Sequence, residues 1–202
     1  MRITGGKAAR RILKVPKGFD VRPTPDLVKQ AVFNSLGARV ENSQVLDLFS
    51  GTGAMGLECL SRGAAEVVSV EKNHRHVAMI RENMAATHLP AENCELREQD
   101  VFSALGQLVA TQRQFDLIVA DPPFGEKNLG RRSTSLSQQL LDDERVWRLL
   151  RPAGLFVLGH TKRDTLSLPE TWEEIKVMKH GDSMMRFLRK KTNPGANSIR
   201  QS

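Results

Sequence analysis

Cysteine is scarce in this chain of 202 residues: Cys59 and Cys94 are the only two. They are too few and too isolated for a disulfide framework or a zinc site. Cys59 lies on an apolar helical stripe and reads as buried core. The five histidines have no metal-ligand spacing. His74 and His76, two apart, fall on different faces of a helix, and both read as surface residues. No apolar run approaches the roughly 18 residues of a membrane span. The basic opening Met1-Arg2-Ile3-Thr4-Gly5-Gly6-Lys7 has no apolar segment behind it and does not read as a secretory signal. The expectation is a cytoplasmic monomer without metal or membrane attachment. No internal repeat is visible. Acidic residues are missing altogether between Arg2 and Lys17, where Arg2, Lys7, Arg10, Arg11, Lys14 and Lys17 stand.

What is present suits one domain with a proper core. Apolar residues make up 40% of the chain, near the average for globular proteins. The formal net charge of +7 favours an anionic partner. The basic run at the start is interleaved with Ile3, Ile12, Leu13 and Val15, which argues for a folded arm. Two further basic groups, Arg131-Arg132 and Arg186 with Arg189, Lys190 and Lys191, are equally well read as solvated surface.

Residues 2–16 alternate weakly, carry Gly5-Gly6 and end at Pro16-Lys17-Gly18, which predicts a small basic hairpin or extended arm. Thr24 suits a helix N-cap and Pro25 the first helical position, with Gly37 closing the helix. Strand and helix then alternate. Strands are expected at Val45–Phe49, Glu66–Glu71, Cys94–Gln99, Phe115–Ala120 and Gly154–Leu158. Helices are expected at Gly51–Arg62, His74–Thr87, Phe102–Ala110 and Ser135–Leu150. Trp172–Lys179 and Met184–Arg189, separated by His180-Gly181-Asp182, predict an antiparallel hairpin. The succession implies an α/β fold with a parallel, doubly wound sheet, whose ligands bind beyond the carboxyl ends of the strands. Residues 191–202 are polar and read as a disordered tail.

Asp47-Leu48-Phe49-Ser50-Gly51-Thr52-Gly53-Ala54-Met55-Gly56 follows the first strand and opens a helix. Gly51-x-Gly53-x-x-Gly56 matches a dinucleotide fingerprint, yet two acidic residues turn it elsewhere. Asp47, inside the strand end, can order the loop and accept from an ammonium group, where a pyrophosphate favours bare backbone N–H groups. Glu71 ends the next strand, where a carboxylate takes the hydroxyls of a ribose. Asp100 ends the third and can accept from an adenine amine. The plainer reading makes Glu71 and Asp100 ordinary strand-end acids. As a set with the glycine loop they suit S-adenosylmethionine, which is cationic and carries both ribose and adenine.

Phe115–Ala120 runs straight into Asp121-Pro122-Pro123-Phe124. Two prolines remove two N–H donors and stiffen the turn, so its carbonyls are fixed acceptors. Asp121 adds a carboxylate, and Phe124 a flat face for a base. An exocyclic amine is a poor nucleophile because its lone pair is delocalised into the ring. Two acceptors holding its two N–H groups draw the nitrogen toward tetrahedral geometry. The plainer reading is a rigid strand-to-loop turn. Cytosine C5 chemistry needs a nucleophilic cysteine, and neither cysteine lies near this turn in sequence.

These motifs, with Arg2-Ile3-Thr4-Gly5-Gly6, Arg22-Pro23-Thr24, Val32-Phe33-Asn34, Leu60-Ser61-Arg62-Gly63-Ala64, Val70-Glu71-Lys72 and Gly181-Asp182, resemble the RsmD family of bacterial 16S rRNA guanine-N2 methyltransferases over residues 2–190. The resemblance implies a class I, Rossmann-like methyltransferase domain at 24–190, with a seven-stranded, mostly parallel sheet and an antiparallel C-terminal hairpin, and a basic β-hairpin arm at 1–23. It implies cofactor contacts at Thr24, Asp47, Phe49, Gly51, Thr52, Gly53, Glu71, Lys72, Asp100 and Val101. Catalysis falls to Asp121, Pro122, Pro123 and Phe124, and RNA contact to Arg2, Lys7, Arg10, Arg11 and Arg22. The implied partner is 16S rRNA in an assembling small subunit. Gly159-His160 stands where the family often has Glu, and the stretch 125–137 looks longer than usual. The acidic-Pro-Pro-aromatic motif is shared with adenine-N6 and protein glutamine-N5 methyltransferases, which stay open as alternatives. A non-catalytic RNA-binding assembly factor is a third reading, against which the intact Asp47, Glu71, Asp100 and Asp121 argue.

Overall fold

The central strands are buried on both faces, which is why they read as near-continuous apolar runs. In a computed structural model, residues 1–16, 25–123 and 132–191 are described; Arg22, Thr24 and Phe124 lie outside them. Five strands run parallel: β1 (Gln44–Leu48), β2 (Glu66–Glu71), β3 (Cys94–Glu98), β4 (Phe115–Ala120) and β5 (Leu150–Thr161). The expected hairpin, β6 (Trp172–His180) and β7 (Ser183–Lys190), completes a seven-stranded sheet of order β3-β2-β1-β4-β5-β7-β6, with β7 antiparallel to β5. The order reverses between β1 and β4, and that switch point is where ligands bind in such sheets.

Alternation along the strands divides the core. Val45, Val67, Val119 and Val157 face one way, toward α1 (Asp26–Leu36), α2 (Ala54–Ser61) and α3 (His74–Thr87). Leu46, Val68, Ile118 and Phe156 face the other, toward α4 (Val101–Ala110), α5 (Leu136–Asp142) and α6 (Glu144–Leu149). Among the described residues, no helix is long and apolar enough to cross a membrane.

Some boundaries differ from expectation for identifiable reasons. α1 begins at Asp26, one residue late, with Pro25 in the N-cap position. α2 begins at Ala54 because Phe49, Gly51 and Gly53 have φ of 57°, 55° and 77°, which no right-handed helix accommodates. The expected helix 135–150 is two. The Asp143 carboxylate takes the backbone N–H of Arg145 at 2.9 Å and caps α6, an alternative that competes with helix continuation. β5 starts four residues early, at Leu150, and absorbs Pro152 beside an irregularity in its pairing with β4.

The arm carries one isolated bridge, Arg2 to Ile12, rather than a full hairpin ladder. It is seated on the domain. Ile3, Ala8 and Leu13 are buried in the first core. The Lys7 N–H donates to the Ser61 carbonyl at 2.7 Å and the Ala8 N–H to the Ser61 hydroxyl at 2.9 Å. Buried Glu58 accepts from the backbone and side chain of Thr4 and from Arg62. Buried Lys29 lies 3.8 Å from Glu58, and its ammonium donates to the Arg2 carbonyl.

Candidate active site

Four carboxylates stand at the carboxyl ends of four adjacent strands, in spatial order Asp100, Glu71, Asp47, Asp121. Asp47 is the most constrained, at 2% exposure. Its Oδ2 accepts from the Gly56 N–H at 3.1 Å. Gly56 is needed there: a Cβ would sit 3.0 Å from Asp47 Oδ2, Ser69 Oγ and Val67 Cγ1. Burial pushes the Asp47 carboxyl from 3.8 up to about 7, and the nearby charges of Glu71 and Asp121 add to that. The Ser50 hydroxyl and the Gly56 N–H oppose it.

The glycine loop is held from several sides. Glu71 Oε2 accepts from the Gly51 N–H at 2.9 Å, and its Oε1 from the Asn73 N–H at 2.8 Å. The Gly53 N–H donates to the Ser50 carbonyl at 2.7 Å. Phe49, half-buried at positive φ, is a bulky residue in a costly conformation of a kind that clusters at functional sites. Thr52 is buried and Lys72 exposed. Asp100 is exposed and caps α4, its Oδ1 accepting from Phe102 N–H at 2.9 Å. Val101 is buried, so its backbone is what it offers to a ligand. Gln99 has an Nε2 that is buried without a hydrogen-bond partner among the described residues.

Asp121 follows β4 and is half-buried, with Pro122 buried and Pro123 exposed. Its carboxylate lies over Gly159 of β5, where a Cβ would come within 2.2 Å of Asp121 Oδ1. A bare glycine at 159 leaves the room that the Asp121 carboxylate occupies. Ser137 donates to the Gly159 carbonyl at 3.0 Å and holds that segment. His160 is buried between Arg186, whose Nε donates to its Nε2 at 3.0 Å, and the Asp164 carbonyl 3.1 Å from Nδ1. Burial and the Arg186 charge lower its pKa, so the ring is neutral.

Of the expected RNA contacts, Lys7, Arg10 and Arg11 are exposed, and Arg2, exposed as well, shares an ion pair with Asp26 at 3.4 Å. In the C-terminal basic group Arg186 pairs with Glu174 and Arg189 with Glu173. Arg132 pairs with Asp142 at 2.7 Å. His74 is exposed as expected, but His76 is partly buried, 3.6 Å from Glu71. Cys59 is fully buried, as its stripe implied. Thr24, Arg22 and Phe124 fall outside the described residues, so the expectations placed on them have no geometry here. Among the described residues, no group of three or more His, Cys, Asp or Glu side chains is placed to hold a metal ion.

Sequence reasoning missed Glu58, Lys29 and Asn83, and singled out Gly159 only as a departure. Asn83 is fully buried, and its amide bonds both Lys14 of the arm and Thr52 of the glycine loop. The available signal was a polar residue on an apolar stripe: Asn83 between Ile80 and Met84, and Lys29 beside Val28, Val32 and Phe33.

Comparison with known proteins gives a consistent result. The profile of the family described as conserved hypothetical protein 95 matches residues 1–189. Ribosomal RNA small subunit methyltransferase D of Haemophilus influenzae is 32% identical over 176 residues, covering 87% of this chain and 86% of that protein. The protein of the same name from Escherichia coli K12 is 31% identical over 172 residues, covering 85% and 81%. The solved structure of a hypothetical protein from Thermus thermophilus superposes with a TM-score of 0.76 at 30% identity, covering 94% of this chain and 99% of that one.

Proposed function

The chain belongs to the conserved hypothetical protein 95 family, and from that membership and the site geometry we propose that it transfers a methyl group from S-adenosylmethionine to the exocyclic N2 amine of a guanine in 16S rRNA. The observation that carries this reading is the row of four carboxylates along one rim, with Asp121 lying over Gly159.

The donor set fits the cofactor. Burial raises the pKa of Asp47, and among the described residues no cation is paired with it; an ammonium group would supply a counter-charge. Glu71 would hold the ribose, and Asp100 with the Val101 backbone would hold the adenine. The orphaned Gln99 Nε2 beside them is a donor in need of an acceptor. When bound, S-adenosylmethionine contributes a methyl group on a sulfonium, open to in-line displacement. The chain's own task is orientation. The Asp121 carboxylate and the Pro122 carbonyl accept the two N–H groups of the target amine and free its lone pair. Asp121 does not take the proton first, since a carboxyl with a free pKa of about 4 is a weak base for a neutral amine. The proton leaves after methylation. A duplex hides this amine from the rim, so the base is unpaired or flipped out. Residues 1–23 serve as the RNA-contacting arm and 24–190 as the transfer domain, working on rRNA in an assembling small subunit.

The test is Asp121→Ala, assayed with labelled methyl groups on rRNA from cells lacking the protein. Transfer falls by at least about a hundredfold, the scale of losing a positioned electrostatic group, while S-adenosylhomocysteine affinity is retained. Full activity in this variant refutes the assigned role. Label appearing in protein instead of rRNA points to glutamine methylation.

A further inference from the structure

One buried amide joins the arm to the glycine loop. Asn83 Oδ1 accepts from the Lys14 N–H at 2.7 Å, and its Nδ2 donates to the Lys14 carbonyl at 3.1 Å. The same Nδ2 donates to the Thr52 carbonyl at 2.9 Å. The side chain is fully buried, and its two N–H groups and its oxygen are all engaged. Toward Lys14 it acts as a neighbouring strand would, taking both backbone groups of one residue. Toward Thr52 it grips the loop between Gly51 and Gly53, two residues whose left-handed φ leaves the loop with few steric restraints of its own. Neither Lys14 nor Thr52 can shift without leaving a buried polar group unpaired. The arm is tied a second time to the helix the loop opens, through Ser61 and Glu58 of α2.

We propose that Asn83 is a positioning residue that makes RNA engagement by the arm and cofactor binding at the loop mutually reinforcing. The inference rests on the reading of the preceding subsection. RNA held by Lys7, Arg10 and Arg11 stabilises the seated arm, and a seated arm fixes Lys14 against Asn83. Asn83 then holds the Thr52 carbonyl in the arrangement the cofactor meets. Whichever ligand binds first bears the ordering entropy, so the second binds more tightly. Linkage requires the same factor in both directions.

The experiment is equilibrium dialysis of labelled S-adenosylhomocysteine against the full chain, with and without purified 16S rRNA, for wild type and Asn83→Leu. In the wild type, rRNA tightens cofactor affinity by about tenfold, within the usual range of coupled sites. The cofactor tightens rRNA affinity by the same factor. In Asn83→Leu both ligands bind and the factor falls to about one. A merely structural asparagine gives a different pattern: weaker cofactor binding alone, with the rRNA-dependent factor unchanged. That result overturns the proposal, as does a wild-type factor of one. If Asn83→Leu fails to fold by circular dichroism, Asn83→Ser, which keeps a single donor, gives a reduced factor; an unchanged one overturns the proposal. Failure of the wild type to bind either ligand sinks the preceding reading and the coupling with it. Binding of both without coupling sinks the coupling alone.

Discussion

Burial of Asp47 makes cofactor affinity depend on pH in a calculable way. The group's folded pKa is raised from 3.8 to about 7, so the folded protein holds this proton more tightly than the unfolded chain. The stability it contributes is therefore full below 3.8 and is lost as pH rises through about 7. The loss amounts to about 4 kcal/mol, from roughly three pKa units at 1.36 each. A cationic ligand that requires the ionised form meets the reverse dependence. Relative to its high-pH limit, its affinity is weakened about elevenfold at pH 6, about twofold at pH 7 and hardly at all at pH 8. Titration calorimetry of S-adenosylhomocysteine in two buffers of different ionisation enthalpy reads both affinity and protons. Release of about 0.9 proton is expected at pH 6 and about 0.5 at pH 7. Asp47→Asn, neutral throughout, separates the two effects. It stabilises the ligand-free protein at pH 8 by up to about 4 kcal/mol, while its cofactor affinity is weaker there and flat with pH. Wild-type affinity that does not change between pH 6 and 8, or an Asp47→Asn variant less stable than wild type at pH 8, refutes the reasoning.

Three further outcomes are expected. Replacing Lys7, Arg10 and Arg11 by Gln removes about three phosphate contacts and flattens the logarithmic salt dependence of rRNA binding by roughly that number; an unchanged slope removes the arm from the interface. Glu58→Ala strips the buried Lys29 ammonium of its fully buried counter-charge and costs about 3 kcal/mol in urea unfolding; a cost near zero means the pair is open to water. Gly56→Ala drives a methyl group into Asp47, Ser69 and Val67 and destabilises by about 1–3 kcal/mol, with weakened cofactor binding as the companion readout.

How far the sequence carried depended on the range of the interactions involved. β2, α3 and β4 have their expected bounds because hydrophobic period and local punctuation decide them. The strand-end acids were legible because the rule that places ligands in parallel sheets converts order along the chain into position at one rim. The break at Asp143 was not, since the same acid suits a helix surface or a cap until its partner, the Arg145 N–H, is in view. Glu58 with Thr4 and Asn83 with Lys14 were hidden for a different reason. They join residues 54 and 69 apart, and no local pattern tells that the two members meet. Gly159 was seen only as a departure, because a glycine announces what it leaves open solely when the group filling the space is known.

Most of the arm's attachment resides on uncharged groups, although Arg2 and Lys14 also pair with Asp26 and Glu82. The arm is held by main-chain groups of Lys7, Ala8 and Lys14, by the Arg2 carbonyl, and by the uncharged side chains of Ile3, Ala8 and Leu13. Lys7, Arg10 and Arg11 are exposed. Substitutions there that tolerate the local backbone, with Arg10 at a φ of 72°, change the charge offered to a nucleic acid without removing a contact of the mount. Affinity for RNA can then be retuned one side chain at a time while the Asn83 link from the arm to the glycine loop stays in place.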